Sequence, residues 1–180
     1  MPLSEPMTRW PSSHQLPEGK VAVRVQLQNF DIGIELTALT KGRHNIGGLC
    51  SFVGLVRDLA KGERINSMTL EHYPNMTEKA ISVIETEAHK RWPLEGTLII
   101  HRYGKLKPGD QIVLVAAASS HRKAAFEACH FLIDWLKTQA PFWKLEETSK
   151  GSQWVNARQS DEQAATRWGA SPSDIQIPEK

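Results

Sequence analysis

The feature that most constrains the fold is the segment Ile112–Ala118, an unbroken run of apolar residues. Because both faces of such a strand are apolar, we expect it at the centre of a sheet. Ser119 and Ser120 follow as candidate caps of a helix that places one apolar stripe toward the core. The residues of that stripe are Ala125, Cys129, Leu132 and Leu136.

The rest of the chain mixes strand and helix patterns without a regular repeat. Residues 32–39 fit either a strand or a short helix, and an amphipathic helix capped by Asn75 is predicted to stop at Pro93. We expect the strands on either side of residues 57–64 to form a long-looped hairpin, with Gly54 at a bulge. The predicted class is α+β with a largely antiparallel or mixed sheet. The strand patterns cover residues 21–28, 49–56, 65–73, 97–104 and 152–158.

The ends of the chain and its charge narrow the class of protein. Residues 1–20 carry four prolines and little apolar periodicity, so we expect a flexible N-terminal extension, and residues 169–180 form a polar tail. Residues 21–168 between them are predicted to form one domain. With 22 basic and 20 acidic residues the net charge is only +2, which does not indicate a nucleic-acid-binding protein. No apolar run approaches the roughly 20 residues of a membrane span, and no secretory signal is visible, so we expect a cytoplasmic protein without membrane association.

The two cysteines, Cys50 and Cys129, form no CxxC pair. This argues against a structural zinc site and against a disulfide framework, and we expect no metal. Each cysteine lies in an apolar pattern, which favours buried, unreactive thiols. A sulfurtransferase that carries a persulfide on Cys50 or Cys129 is the alternative.

Two groups of cationic residues are candidates for an anion site. His121 and Arg122 lie in the first turn of the predicted helix, where unpaired N–H groups and the helix dipole favour an anion. Arg57 follows a glycine-containing strand, and its planar guanidinium suits a phosphate. Solvated or salt-bridged surface residues would give the same pattern, and that ordinary alternative stays open.

A third group is the pair Lys137 and Lys144, with Pro141 between them. Proline disfavours helix at the preceding residue, so we expect the helix to end between the lysines. A lysine beside apolar side chains is desolvated, which lowers its pKa and suits it to nucleophilic, basic or oxyanion-stabilising roles. The alternative is a lysine that complements the helix dipole and a second that snorkels along the surface. The aromatic residues available to desolvate them are Trp135, Phe142 and Trp143.

Several segments, in order, resemble the large, catalytic subunit of molybdopterin synthase, an enzyme family of molybdenum cofactor biosynthesis. The resemblance extends from about Val21 to Trp168 and rests on several unrelated segments rather than on one motif. It implies an α/β hammerhead fold with an additional small antiparallel β subdomain. The matching segments are FVGLVRD, LEHYPNMTEKA, RWPL, HRYGKLKPGD, HRKAAFEACHFLIDWLKTQAPFWK and SDEQAATRW.

The resemblance also implies a reaction and its partners. The family converts cyclic pyranopterin monophosphate to molybdopterin by installing two dithiolene sulfurs. The sulfur comes from a small ubiquitin-like subunit whose C-terminal Gly-Gly tail carries a thiocarboxylate. The family assembles as a heterotetramer around a homodimer of the large subunit, and no cofactor is expected.

By their place in these motifs, Lys137 and Lys144 match the family's active-site lysines. Arg57, His121 and Arg122 match its substrate-binding positions. Our hypothesis is that the latter three hold the phosphate while the lysines serve the thiocarboxylate and the carbon under attack. Which lysine has which role stays open. The other matched positions are Leu55, Val56, Leu145 and Glu146, with Arg158 as a possible addition.

The residues alone leave two further classes open. A binding module could use the same cations to hold a polyanion, and its affinity would depend steeply on salt. An enzyme that forms a lysine Schiff base with a pyridoxal cofactor would show the absorbance of that cofactor when purified.

Overall fold

The computed structural model describes residues 22–60, 62–155 and 159–169. The predicted extension at residues 1–20, nearly all of the predicted tail and Arg158 lie outside the described residues. No helix in the described ranges is long and apolar enough to cross a membrane. The strands are β1 (Ala22–Gln26), β2 (Gly48–Leu55), β3 (Leu59–Ala60), β4 (Glu63–His72), β5 (Gly96–Arg102), β6 (Gly104–Leu106), β7 (Gln111–Ser119), β8 (Phe142–Thr148) and β9 (Gly151–Val155). The helices are α1 (Ile32–Thr40), α2 (Met76–Arg91), α3 (Arg122–Gln139) and α4 (Gln159–Thr166).

The first sheet has the strand order β1-β5-β7-β2. β1 and β5 are parallel and the other neighbours are antiparallel, so the predicted mixed sheet is confirmed. β7 lies inside the sheet, as its two apolar faces predict, and both faces are covered. Leu114 packs on the side of α1, whereas Val115 packs on the side of α2 and α3.

The segment whose pattern fits either a strand or a helix forms the helix α1. Its N-cap is Asp31, whose side chain accepts a hydrogen bond from the backbone N–H of Ile34 at 2.9 Å. The cap satisfies a donor that the first helical turn leaves unpaired. Leu39 is buried against the sheet and anchors the helix.

The apolar faces predicted for α2 and α3 are confirmed, because their residues are buried against the first sheet. Each fully buried leucine or isoleucine on these faces contributes about 1.5–3 kcal/mol relative to an exposed one. The buried members are Ile81, Ile84 and Ala88 on α2 and Ala125, Cys129, Leu132 and Leu136 on α3.

The predicted N-cap position of α2 is confirmed, whereas the N-cap of α3 differs from the predicted serines. Asn75 holds the N-cap position of α2 with a φ of +67°, but its side chain makes no capping hydrogen bond to any described residue. His121 holds the N-cap position of α3, one residue after the predicted Ser120. The Ser119 hydroxyl instead donates to the Pro93 carbonyl at 2.7 Å and accepts from the His121 N–H at 3.3 Å. Ser119 thus ties the start of α3 to the segment that follows α2.

The second sheet is the small antiparallel part that the resemblance implies. Its strand order is β3-β4-β8-β9, and β6 also pairs with β4. The predicted long-looped hairpin between β2 and β4 is wrong, because β2 pairs with β7 and the hairpin partner of β4 is the short β3. β2 joins the first sheet because both of its faces need cover: Cys50 packs on the α3 side and Val53 on the α1 side.

The predicted bulge in β2 is confirmed. The pairing register of β2 with β7 shifts between Gly54 and Leu55. A Cβ atom on Gly54 would lie 2.7 Å from Cγ1 of Val113, so the close approach of the two strands requires glycine. Beyond the bulge the chain leaves the sheet and presents Arg57.

Candidate active site

α3 runs along the strands of the first sheet, so its two ends lie at opposite ends of those strands. Its start lies against β2, where a Cβ atom on Gly48 would come within 3.1 Å of the Arg122 Cα. Halfway along, the Cys129 Sγ lies 3.8 Å from the carbonyl oxygen of Val115 on β7. The helix therefore runs antiparallel to β7, and its last turn reaches the end of the sheet where β7 begins and β2 ends.

Lys137 and Arg57 both lie at this end of the strands, which we call the lysine end. Lys137 is exposed in the last turn of α3, and Arg57 is exposed just after β2. Ala140 adopts an extended backbone with a ψ of 122°, as the following Pro141 requires. The predicted end of the helix between the two lysines is confirmed, and the chain continues into β8, which carries Lys144.

Lys144 stands over an apolar cluster. Its cross-strand neighbour on β4 is Leu70, which is 1% exposed, and side chains paired in this way are neighbours on one face of a sheet. Leu70 packs with Val56, the residue before Arg57. Lys144 therefore lies opposite one member of this buried apolar cluster, and Arg57 follows another member along the chain.

The apolar wall beside Lys144 differs from the one expected from the sequence. Phe142 lies on the Lys144 face, two residues earlier in β8. Trp143 points to the other face, is 42% exposed and contacts the ring of Tyr73 with centroids 5.0 Å apart. Trp135 is fully buried in the helix layer. The wall is therefore built by Phe142 and by residues of β4 rather than by the tryptophans.

His101 on β5 is a functional candidate that is not among the site residues proposed from the sequence. Its ring stacks on Phe142 with centroids 3.7 Å apart, and its Nδ1 lies 2.9 Å from the carbonyl oxygen of Arg102. Burial lowers the pKa of His101 to about 3, the hydrogen bond to Arg102 opposes this shift, and the charge of Lys144 adds to it. Because successive side chains of a strand point to opposite faces, His101 lies on the same inward face of β5 as Ile99. This alternation was the signal available in the sequence.

The start of α3, which we call the arginine end, has a different environment. His121 and Arg122 are exposed, and the first turn carries Arg122 and Lys123 at the positive end of the helix dipole. Gly47 lets the chain pass close to this turn, since a Cβ atom there would lie 2.2 Å from the Ser120 carbonyl oxygen. A bound anion would relieve the repulsion between these cations and the dipole.

The structure does not bring the two groups of cations together within one chain. The rise along α3 from Arg122 to Lys137 is about 22 Å at 1.5 Å per residue. Arg57 follows the far end of β2, roughly 30 Å along the strand from Gly48. One copy therefore brings together Arg57, Lys137 and Lys144 at the lysine end and His121 with Arg122 at the arginine end.

The matched positions beside Arg57 have different surroundings. The Val56 N–H donates to the Asp110 carbonyl at 2.9 Å, and the Val56 carbonyl accepts from the Gly109 N–H at 2.8 Å. Leu55 is exposed. The backbone of Val56 therefore fixes the start of the segment that presents Arg57.

The matched positions after Lys144 lie on β8. Leu145 is on the outer face, and the half-buried Glu146 shares the face of Lys144. The next residue, Glu147, accepts hydrogen bonds from the Lys105 Nζ at 2.8 Å and the Ser67 Oγ at 2.7 Å, and these contacts lower the pKa of its carboxyl group. They tie β8 to the neighbouring strands.

Both cysteines are free thiols; Cys129 is buried and Cys50 is half-buried. Burial raises the pKa of the Cys129 thiol, and the neighbouring Cys50 raises it further. A thiol that resists ionisation is a poor nucleophile. This supports the interpretation of the cysteines as structural residues.

In the part of the chain that the structure describes, no group of three or more His, Cys, Asp and Glu side chains is placed to hold a metal ion. A cavity of about 390 Å³ lies beside the start of α1. It is on the α1 side of the sheet, whereas Lys137 is on the α3 side. The cavity is lined by Asn29, Phe30, Asp31, Ile32, Gly33 and Gln111.

The fold and the cations at the lysine end define an α+β enzyme subunit with a site suited to an anionic substrate. The sequence model of the family described as MoaE protein matches residues 25–139. The molybdopterin synthase catalytic subunit of Ralstonia nicotianae is 55% identical over 147 residues, which cover 82% of this chain and 84% of the relative.

Solved structures share the fold. The molybdopterin biosynthesis MoaE protein from Burkholderia ambifaria is 48% identical with a TM-score of 0.73, and the match covers 84% of this chain and 100% of that one. A chain in the complex of subunits 1 and 2 of the molybdopterin-converting factor from Helicobacter pylori has 21% identity and a TM-score of 0.63, with 76% and 91% covered. The chain belongs to the MoaE family of molybdopterin synthase catalytic subunits and is a sulfurtransferase of molybdenum cofactor biosynthesis. The resemblance inferred from the motifs and the α+β class are confirmed.

Proposed function

We propose that this chain transfers sulfur from the thiocarboxylated C-terminus of a small ubiquitin-like subunit to cyclic pyranopterin monophosphate, and so forms the dithiolene of molybdopterin. The observation that carries the proposal is the lysine end. Lys137 and Arg57 lie there at the same end of the strands of the first sheet, and Lys144 stands opposite Leu70 of the apolar cluster that contains Val56. The buried Cys129 thiol has a raised pKa and resists ionisation, which supports an external source of sulfur.

The lysines suit the chemistry at the thiocarboxylate and at the carbon under attack. An ammonium group beside an apolar wall stabilises negative charge that develops during acyl or sulfur transfer. A lysine that loses its proton there can act as a base or a nucleophile. The proposal assigns Lys137 to the reacting atoms and Lys144 to the tail or to the developing charge.

The arginine end supplies a phosphate-binding group, but from a second copy of the chain. His121 and Arg122 lie about 22 Å from Lys137 along their own helix. In a two-fold dimer, each site can take its lysines from one copy and its His121–Arg122 pair from the other. This arrangement supports the homodimer of large subunits proposed at the centre of a heterotetramer.

The small subunit is the proposed partner at the lysine end. The Helicobacter pylori structure, which shares this fold, is a complex of subunits 1 and 2 of the molybdopterin-converting factor. A tail that ends in a thiocarboxylate is anionic and would be attracted to the cations there. We also propose residues 21–168 as the catalytic domain and the cytoplasm as its location, since free thiols persist in reducing compartments.

Single-turnover conversion of the cyclic pterin by thiocarboxylated small subunit tests the proposal. Lys137→Ala should abolish most dithiolene formation, and Lys90→Ala, at an exposed lysine of α2, is the matched control. A near-normal rate in Lys137→Ala, with fold and partner affinity unchanged, would rule out the catalytic assignment. Absence of product from the wild-type pair would rule out the reaction itself.

A further inference from the structure

Phe142 is the first residue of β8, so its position sets the direction in which the chain leaves the turn at Pro141. Two imidazole rings hold it. His101 stacks on it at 3.7 Å with the ring planes 18° apart, and His72, its cross-strand partner on β4, lies 6.1 Å away between centroids. Lys144 stands two residues further along the same face. A shift of the Phe142 ring would therefore move Lys144.

His101 is itself fixed and uncharged. It is 8% exposed, and a proton on Nδ1 is donated to the Arg102 carbonyl oxygen, which leaves Nε2 unprotonated in the neutral ring. Lys144 on β8 and His72 on β4 face it, and their electrostatic interactions with the ring lower the pKa of His101. A histidine with a pKa of about 3 is a poor general base at neutral pH. Any role of His101 is therefore one of position.

An apolar residue would fill this place without burying ring nitrogens. Leu98, Ile99 and Ile100 precede His101 in β5, and all three are fully buried. Burial of a polar ring costs free energy that an aliphatic side chain avoids. A strongly perturbed titratable group beside a functional lysine is a candidate for a role in the site.

We propose that His101 is a positioning residue for Lys144. Stacked on Phe142 and tied to the Arg102 carbonyl, its ring holds the start of β8 so that Lys144 faces the reacting atoms. The inference rests on the proposed role of Lys144 in sulfur transfer. It gives His101 no contact with the substrate.

The first test measures Lys144 directly and does not depend on turnover. Competitive acetylation with acetic anhydride, followed by peptide mass spectrometry, compares the reactivity of Lys144 with that of the exposed Lys90. His101→Ala removes the stack and should change this ratio at least about threefold, because the solvation of the amine changes. His101→Phe keeps an aromatic ring and should leave the ratio within about 1.5-fold of wild type. His44→Ala, at an exposed histidine, is the matched control.

The second test measures the chemical step. In single turnover His101→Ala should be slower by about 10- to 100-fold, because ångström-scale displacement of a reacting group costs this much. His101→Phe should keep more than about a third of the rate, and affinity for the small subunit should stay within about twofold in both variants. Because the effect passes through Phe142, Phe142→Leu should also be slow, and the double variant with His101→Ala should be no slower than the slower single variant.

A wild-type rate and labelling ratio in His101→Ala would overturn the proposal. So would an equally slow His101→Phe, or losses that add in the double variant. If His101→Ala does not fold, a near-normal His101→Phe together with a slow Phe142→Leu supports the proposal, and the reverse pattern overturns it. If wild-type protein forms no dithiolene, the proposed function fails, while the labelling ratio still decides whether His101 positions Lys144.

Discussion

The start of α3 carries the exposed residues His121 and Arg122, and its last turn carries the exposed Lys137. Positive charge opposes the helix dipole at the start and complements it at the end. The arginine end is therefore more favourable with an anion bound, whereas Lys137 is compatible with its helix end without one. In the proposed function this difference separates two tasks, which are the binding of negative charge and the holding of amines where bonds change.

The two ends also differ in packing. At the arginine end, Gly48 brings backbone against backbone and the cations are exposed. At the lysine end, Lys144 stands opposite the buried Leu70, and the apolar cluster excludes water on one side. Electrostatic groups act more strongly where water is excluded. We therefore expect changes at the lysine end to lower rates and changes at the arginine end to lower affinity.

The largest effect is expected at Lys144. Lys144→Ala should lower the single-turnover rate by about 100- to 1,000-fold, the range seen when a charge-stabilising donor is removed from an active site. Lys144→Arg separates the roles, since it keeps the charge but cannot lose its proton. Quenched-flow detection of dithiolene measures both variants. If Lys144→Ala raised KM and left the rate constant unchanged, the expected difference between the two ends would be contradicted.

A smaller effect is expected at Arg122. Arg122→Ala should raise KM for the cyclic phosphate about tenfold and leave kcat within about threefold, because a charge-assisted bond to phosphate is lost. Steady-state rates over a range of substrate concentrations measure both constants. Lys90→Ala on α2 is a control, since Lys90 is exposed, faces Glu87 and lies on a different helix from Arg122. A fall in kcat with unchanged KM would contradict the binding role of the arginine end.

The lysine end also predicts a pH dependence of stability. The pKa of His101 is about 3 in the folded protein against an ordinary 6.5, so the unfolded chain binds more protons between these values. Stability therefore rises with pH up to about 6.5. Between about pH 3 and 6.5 this one group should raise the free energy of unfolding by about 1.4 kcal/mol per pH unit. Urea unfolding of wild type and His101→Phe between about pH 5 and pH 6.5 measures the difference in slope. Equal slopes would show that the folded environment does not suppress protonation of His101.

The smallest effect on rate is expected midway along α3. The double replacement Cys50→Ala and Cys129→Ala should leave the single-turnover rate within about twofold, and it should cost about 1 kcal/mol of stability through the buried Cys129. Dithiolene formation and thermal unfolding check the two parts. Loss of turnover in a folded double variant would instead support the alternative in which a cysteine of this chain carries the sulfur as a persulfide.

Apolar periodicity was enough to predict much of the fold. The two-faced run in β7 and the stripes on α2 and α3 report burial directly, and these predictions are confirmed. The cap of α3 was not predictable in the same way, because the Ser119 hydroxyl bonds the distant Pro93 carbonyl. The partner of β2 was missed because strand pairing between distant segments depends on which faces the assembled layers cover.

Motifs were enough to propose candidate residues for the site, but their arrangement could not be predicted. That Arg57 and Arg122 lie at opposite ends follows only once β2 and α3 are known to run in the same direction. The importance of His101 depends on Phe142, a residue of another strand that no local pattern connects to it. Both are consequences of tertiary packing.

Mixing two variants that are each impaired at low substrate concentration tests most directly whether each site takes its cations from two copies of the chain. One variant carries Lys137→Ala, and the other carries His121→Ala with Arg122→Ala. After random exchange of subunits, half of the two-fold dimers are mixed and one site of each mixed dimer is intact, so we expect about a quarter of the wild-type rate at low substrate concentration. A rate no higher than the average of the two separate variants would contradict the shared site.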